Sequence, residues 1–259
     1  MSRLYIYIYF FSIHLDWIGL SKDSAALNCK DLKQKLPSAV SAVYWIDPDG
    51  GPRSNAFQVY CYQETDRGGW TLVYSYTFTA YSSFWTGRNA VTPRPSWSAR
   101  DANVRVSTTV PLSETQYEAM KFALWRSIGK EFLIKSNINN WIACKEDKGS
   151  LVQQKKGSIQ CKQVKQVSKQ CAGTVPKSLW IGSRGAGLDA RSAYYYFDGD
   201  TRINSPTHDP CGTNRPNQLK RAKPTREHFC ALKAYMRVIK SLRFLLERLP
   251  VFDFSTQDE

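Results

Sequence analysis

The sequence predicts an α+β protein with an N-terminal hairpin subdomain, a central mixed sheet carrying a helix, and a loop-rich C-terminal part. Three observations point there. Short runs rich in β-branched and aromatic residues recur through the first half, one segment repeats apolar residues at helical spacing, and Gly, Ser, Asn and Pro crowd the stretch after Gly182. With 259 residues, 42% of them hydrophobic and 22% charged, the chain is globular and long enough for one large core or two small ones.

Taken in order, Cys29 to Leu36 reads as a short helix that Pro37 ends. Ala42 to Ile46 is strand-like and Ala56 to Tyr62 alternates toward a second strand, with Asp47-Pro48-Asp49-Gly50-Gly51-Pro52, a strong turn signal, between them, so the two form a hairpin. Gly68-Gly69 precedes a third strand, Trp70 to Tyr76. Phe78 to Pro95 reads as a packed loop, and Val104 to Val110 as a further strand. Ser113 and Gln116 make a capping-box pattern ahead of Tyr117, Met120 and Leu124 at helical spacing, with Gly129 closing the helix and Phe132 to Ile134 returning as a strand. Ser178 to Gly182 resumes as strand, the stretch to Cys230 as loop, and Leu232 to Leu249, where Lys or Arg alternates with apolar residues, as an amphipathic basic helix.

The N-terminus points to export. Met1 to Arg3 supply a positive start, Leu4 to Ile13 an apolar run of signal-peptide length, and Ser24-Ala25-Ala26 a small-residue exit, so residues 1–24 are expected to be a signal peptide or its remnant. A β-strand or a mis-assigned start reads the same residues differently. No stretch has the length and apolarity of a membrane span. Seven cysteines, spread from Cys29 to Cys230 without a CxxC pair, suit disulfides in an oxidising compartment better than zinc or thioredoxin chemistry. There is no N-x-S/T sequon and no internal repeat.

A formal net charge of +14 predicts attraction to polyanions. No helix-turn-helix spacing, RNP-like strand or zinc finger accompanies it, so nucleic acid is not the expected partner. Between Lys145 and Lys169 the lysines are dense, and Lys155, Lys156, Lys162 and Lys165 form either a solvated hairpin or a polyanion-binding face.

The run from Asn28-Cys29-Lys30-Asp31 through Tyr44-Trp45-Ile46-Asp47-Pro48, Phe57-Gln58-Val59-Tyr60-Cys61 and Glu64-Thr65 to Gly68-Gly69-Trp70-Thr71 resembles the opening of a fibrinogen-related domain. Its Tyr-Trp-Ile-Asp-Pro phrase is also similar to fibrillar-collagen C-terminal propeptides. The resemblance implies a fibrinogen-like domain over residues 25–235, followed by a basic amphipathic tail at 236–259, with Cys29 paired to Cys61. Spacing suggests the same pair across the hairpin, and Cys211 with Cys230 across the late loop. Cys144, Cys161 and Cys171 then leave an odd thiol, either interchain or buried. There is no tryptophan after Trp180, so the family's late aromatic signature is missing. Trp180-Ile181-Gly182, Phe197-Asp198-Gly199, Asn214-Arg215-Pro216-Asn217 and Glu227-His228-Phe229-Cys230 follow the order of C-type lectin motifs, with Arg215 where the sugar loop would carry an acid. The whole chain resembles secreted invertebrate matrix proteins, including those of coral skeletal organic matrix.

No catalytic constellation is present: the three histidines, His14, His208 and His228, lack GxSxG, HExxH or paired-carboxylate context. Calcium is the expected cation, since Asp198, Asp200 and Asp209 could converge hard oxygens on it; Asp198-Gly199-Asp200 also reads as a plain turn. The sequence thus predicts a secreted, non-enzymatic matrix protein, a skeletal organic matrix component being one form of it, with acidic macromolecules or glycans as partners. A soluble lectin of innate recognition is the alternative.

Overall fold

The computed structural model describes residues 17–78, 91–201, 209–213 and 231–237. The N-terminal elements follow the sequence closely. Helix α1 (Cys29–Lys35) starts at Asn28, whose side-chain oxygen accepts from the N–H groups of Lys30 and Asp31 and so satisfies two donors that the helix cannot. Strands β1 (Ala42–Ile46) and β2 (Phe57–Tyr62) pair antiparallel, and the Cys29–Cys61 disulfide ties α1 to β2. Residues 17–26 cover the outer edge of β1: Gly19 accepts from Trp45 N–H, and Ala26 bridges to Ile46. A leader ending at Ser24 would take part of that cover with it.

Strand β3 (Trp70–Phe78) follows, and then the short β4 (Val91–Thr92), β5 (Arg94–Pro95) and β6 (Val106–Ser107). The helix expected over Ser113 to Gly129 shrinks to one turn, α2 (Trp125–Ile128), behind a 3-10 turn at Phe122–Leu124. The local signal is real, because Gln116 N–H donates to the Ser113 hydroxyl and Leu112 N–H to the Gln116 side chain. The chain beyond it is captured by the edge of β3 instead: Ser75 N–H donates to Glu118 O and Met120 N–H to Val73 O. Tertiary pairing has overridden helical spacing.

Strands β7 (Glu131–Ser136), β8 (Trp141–Glu146) and β9 (Gly157–Lys165) form a meander, so the lysine-rich stretch is largely a sheet strand. The region expected to be loop after Gly182 holds two more strands. With β10 (Ser178–Ile181), β11 (Gly185–Asp189) and β12 (Ala193–Asp198) complete an antiparallel extension.

The largest departure is β13 (Ala231–Arg237). Its residues were expected to start the amphipathic helix and, from Met236, the tail. Instead the strand lies between β3 and β7 in the order β1-β2-β3-β13-β7-β8-β9-β10-β11-β12. The charges at Lys233, Arg237, Lys240 and Arg243 recur every three or four residues, as in a helix, but pairing with β3 and β7 on both sides holds the segment extended, with Ala234 and Met236 on one face and Tyr235 on the other. The rest of the tail, residues 238–259, lies outside the described residues, as do residues 1–16 and all three histidines. The large sheet is antiparallel throughout, not mixed; parallel pairing among the described residues is confined to β5–β6 and the Ala26–Ile46 bridge. The protein is accordingly richer in strand than the α+β expectation. No described helix is long and apolar enough to cross a membrane.

Two further disulfides join Cys144 to Cys161, directly opposite each other on β8 and β9, and Cys171 to Cys211. Cys211 is therefore not bonded to Cys230, the partner that spacing suggested. Cys144–Cys161 follows from the register of the β8–β9 hairpin, and Cys171–Cys211 from a contact across 40 residues that spacing does not reveal. The odd cysteine is Cys230, outside the described residues.

The sheet buries one face in the main core. Ile46, Val59, Phe132, Ile134, Ile142 and Met236 are fully buried there, packed with Trp125, Ile128, Tyr74 and Phe197. The opposite face carries a smaller cluster of Tyr62, Trp70, Leu72, Leu133, Ala143 and Tyr235, and this face holds the charged groups.

Candidate functional site

The outer face of the sheet is built around Arg237 at the end of β13. Its guanidinium lies 3.8 Å above the centre of the Trp70 ring and is 3% exposed. It donates to Glu131 Oε2 at 2.7 Å, to Asp66 Oδ2 at 3.1 Å, and to the carbonyls of Asp66 and Gly68. A buried charge with this many acceptors is compensated; removing it would leave Glu131 and Asp66 with exposed lysines as their remaining cations and take a donor from two turn carbonyls.

The carbonyls it holds belong to a turn of four consecutive left-handed residues, Asp66, Arg67, Gly68 and Gly69. Glycine is required at the last two. A Cβ on Gly68 would lie 2.6 Å from Gln63 O, and one on Gly69 2.9 Å from Lys30 Cα. Gln63, buried beside the Cys29–Cys61 bridge, accepts from Gly69 N–H at 2.7 Å. Helix α1, the bridge and β13 thus jointly fix a turn that local preference disfavours at Asp66 and Arg67.

Between this turn and strands β7 to β9 is a cleft of ≈ 250 Å³ whose lining includes Asp66, Arg67, Glu131, Lys145, Lys162 and Arg237. Lys162 Nζ lies 2.6 Å from Asp66 Oδ1, and Lys145 Nζ 3.6 Å from Glu131 Oε1. Burial alone would raise the Asp66 carboxyl, but Lys162 and Arg237 outweigh it and hold the group below the usual carboxylate range.

Beside the cleft, Lys135 is enclosed by aromatic rings. Its ammonium lies 3.7 Å from the centre of the Tyr62 ring, 4.6 Å from Trp141 and 5.6 Å from Tyr235. Glu114 closes the cage, pairing with Lys135 and accepting from the Tyr235 hydroxyl. Burial, then the Glu114 charge, pushes the Tyr235 phenol well above its ordinary pKa.

The expected polyanion lysines are divided by the fold. Lys162 and Lys165 reach the outer face, because a bulge at Val164 sets Lys165 opposite Trp141, with its ammonium 4.3 Å from that ring. Lys155 and Lys156 are exposed on the hairpin before β9. Of the expected calcium residues, Asp200 and Asp209 have separate partners. Asp200, buried, meets Arg184 at 3.3 Å; Asp209, buried, accepts from the N–H groups of Cys211 and Thr213 at 2.8 Å. Asp198 pairs through its backbone with Gly185. Among the described residues no group of three His, Cys, Asp or Glu side chains is placed to hold a metal ion.

With this geometry in hand, comparison with known proteins is informative for the head of the chain. Residues 17–131 match the family model of the fibrillar collagen C-terminal domain. That span contains the whole Asn28 to Thr71 motif, the left-handed turn and Glu131. Among solved structures, the fibrinogen-like globe domain of human ANGPTL6 is similar at 12% identity, covering 83% of this chain and 96% of that chain with a TM-score of 0.40.

Sequence reasoning missed Asp66, Arg67, Trp70, Glu131, Lys145 and Arg237 as a group. The available signals were the Asp-Arg-Gly-Gly turn and the arginine closing the Ala-Leu-Lys-Ala-Tyr-Met run. Neither says that they meet.

Proposed function

We propose that this chain is a secreted binding and structural protein of extracellular-matrix type, whose outer sheet face engages acidic macromolecules or glycans. The observation that carries the reading is a charge count on the cleft. Arg67, Lys145, Lys162 and Arg237 line it against the two carboxylates of Asp66 and Glu131, so the cleft is positive overall, with Lys145 held only loosely by Glu131, which Arg237 also engages. The net charge of +14, the three disulfides and the match to a collagen C-terminal domain support an extracellular setting. A mineral-associated organic matrix is a narrower form of the same reading, in which the acidic partner is a matrix macromolecule.

Binding to immobilised heparin across a salt series, with and without chelator, tests it. Binding that weakens steeply above about 0.15 M salt and ignores chelator is the expected outcome. Chelator-sensitive, sugar-selective binding favours the lectin alternative. No binding at low salt removes the proposal.

A further inference from the structure

We infer that the cleft beside the Asp66–Gly69 turn is a subsite for one acidic sugar residue, with Arg67 and Lys145 as the groups that hold its sulfate or carboxylate. The inference rests on the polyanion reading above and adds a place and a ligand class to it.

The cleft is of a size for one residue of a chain. The cleft holds ≈ 250 Å³, below the ~300–1,000 Å³ usual for ligand pockets. Its lining is mixed in charge. Lys145 is 57% exposed at the side chain and loosely placed at 3.6 Å from Glu131, and the exposed Arg67 side chain makes no ion pair or hydrogen bond among the described residues. Both cations are available to an incoming anion. Asp66, Glu131 and Gln160 line the same space and present acceptors, which repel a run of carboxylates but suit the hydroxyls of a sugar. An acidic sugar carries both kinds of group on one ring, whereas every side chain of polyglutamate is a carboxylate.

The backbone supplies the independent argument. Arg67 has φ +69, a conformation that disfavours any residue with a Cβ, and a long cationic side chain stands there between Asp66 and two glycines. Glycine would relax that position. The turn is held from below by Arg237, so its shape does not depend on the Arg67 side chain.

Two variants separate binding from folding. Arg67→Gly keeps or raises the thermal midpoint because it removes the left-handed penalty, and Lys145→Gln leaves it unchanged. Together they weaken binding of a heparin octasaccharide about tenfold at moderate salt, the loss expected of two charge-assisted contacts. Lys155→Gln with Lys156→Gln, on the separate hairpin, is the control and leaves affinity within about twofold. A polyglutamate peptide of equal charge binds more weakly than the octasaccharide and does not respond to the cleft variants.

If wild type binds the octasaccharide and the cleft pair binds equally well, the subsite is wrong while the polyanion reading survives. If wild type binds neither probe, both fall. If polyglutamate binds more tightly and loses affinity with the cleft pair, the cleft serves acidic protein and the sugar assignment is wrong.

Discussion

The two faces of the central sheet are both buried at β13, but by different means. On the inner face Ala234 and Met236 pack into a continuous apolar core, where close packing stabilises and the chemistry is interchangeable. On the outer face Tyr235 and Arg237, one residue away on the same strand, lie among rings and carboxylates that must be satisfied individually. The inner face tolerates substitution by volume. The outer face tolerates it by partner, and it is the face that leaves cations over.

The largest expected effects compare Phe132 with Arg237. Phe132→Ala destabilises by about 3–5 kcal/mol through lost burial and a cavity. Arg237→Ala destabilises by about 3–5 kcal/mol, because Glu131 and Asp66 lose their buried cation and the turn carbonyls lose their donor. Denaturant midpoints distinguish the mechanisms once a second change is added. Arg237→Met with Glu131→Met recovers much of the Arg237→Ala loss, whereas no polar change rescues Phe132→Ala. A double variant as unstable as the single one would break the comparison.

Removing the Cys29–Cys61 bridge with Cys29→Ala and Cys61→Ala is next, at about 2–4 kcal/mol. Because Gln63 carries the bridge's position to Gly69, heparin affinity should fall in the folded variant as well. Intact affinity would show that the turn does not need α1. Smaller again is Lys135→Met, at about 1 kcal/mol, because the aromatic cage keeps an apolar occupant and Glu114 keeps the Tyr235 hydroxyl. A loss matching that of Arg237→Ala would place the charge, rather than the packing, in control of the cage.

The smallest effect is on pH dependence. The folded-state pKa of Asp66 lies below its unfolded value of about 3.9, so its contribution is complete above that value and is lost as pH falls through the folded one. Stability followed from about pH 5 down to pH 2 should decline less steeply in Asp66→Asn than in wild type. Parallel declines would mean that Lys162 and Arg237 do not select the ionised form.

How much of this was legible depends on how far apart the partners are. The short helix from Cys29, the strands β1 and β2 and the Asp47–Pro52 turn are local, and the structure has them where sequence reasoning put them. Ser113 and Gln116 form their local contacts too, yet the next residues join the edge of β3, because unpaired strand groups at hydrogen-bonding distance outcompete a short helix. Strand β13 was misread because regular charge alternation at a basic chain end resembles an amphipathic helix, while its strand neighbours lie some hundred residues and more upstream. The cleft fails for the same reason. Asp66, Glu131, Lys162 and Arg237 come from four separate segments, and each is an ordinary surface charge until the sheet order brings them together. The Cys171–Cys211 bridge shows the limit of spacing arguments, since Cys230 was the nearer partner in sequence.

Hydrogen exchange of the full chain, alone and with a saturating heparin octasaccharide, tests the central claim most directly. The account predicts added protection at the 66–69 turn and along β8 and β9 facing the cleft, with the 150–156 hairpin and β10–β12 unchanged. Protection confined to β10–β12, or to the hairpin carrying Lys155 and Lys156, would contradict it.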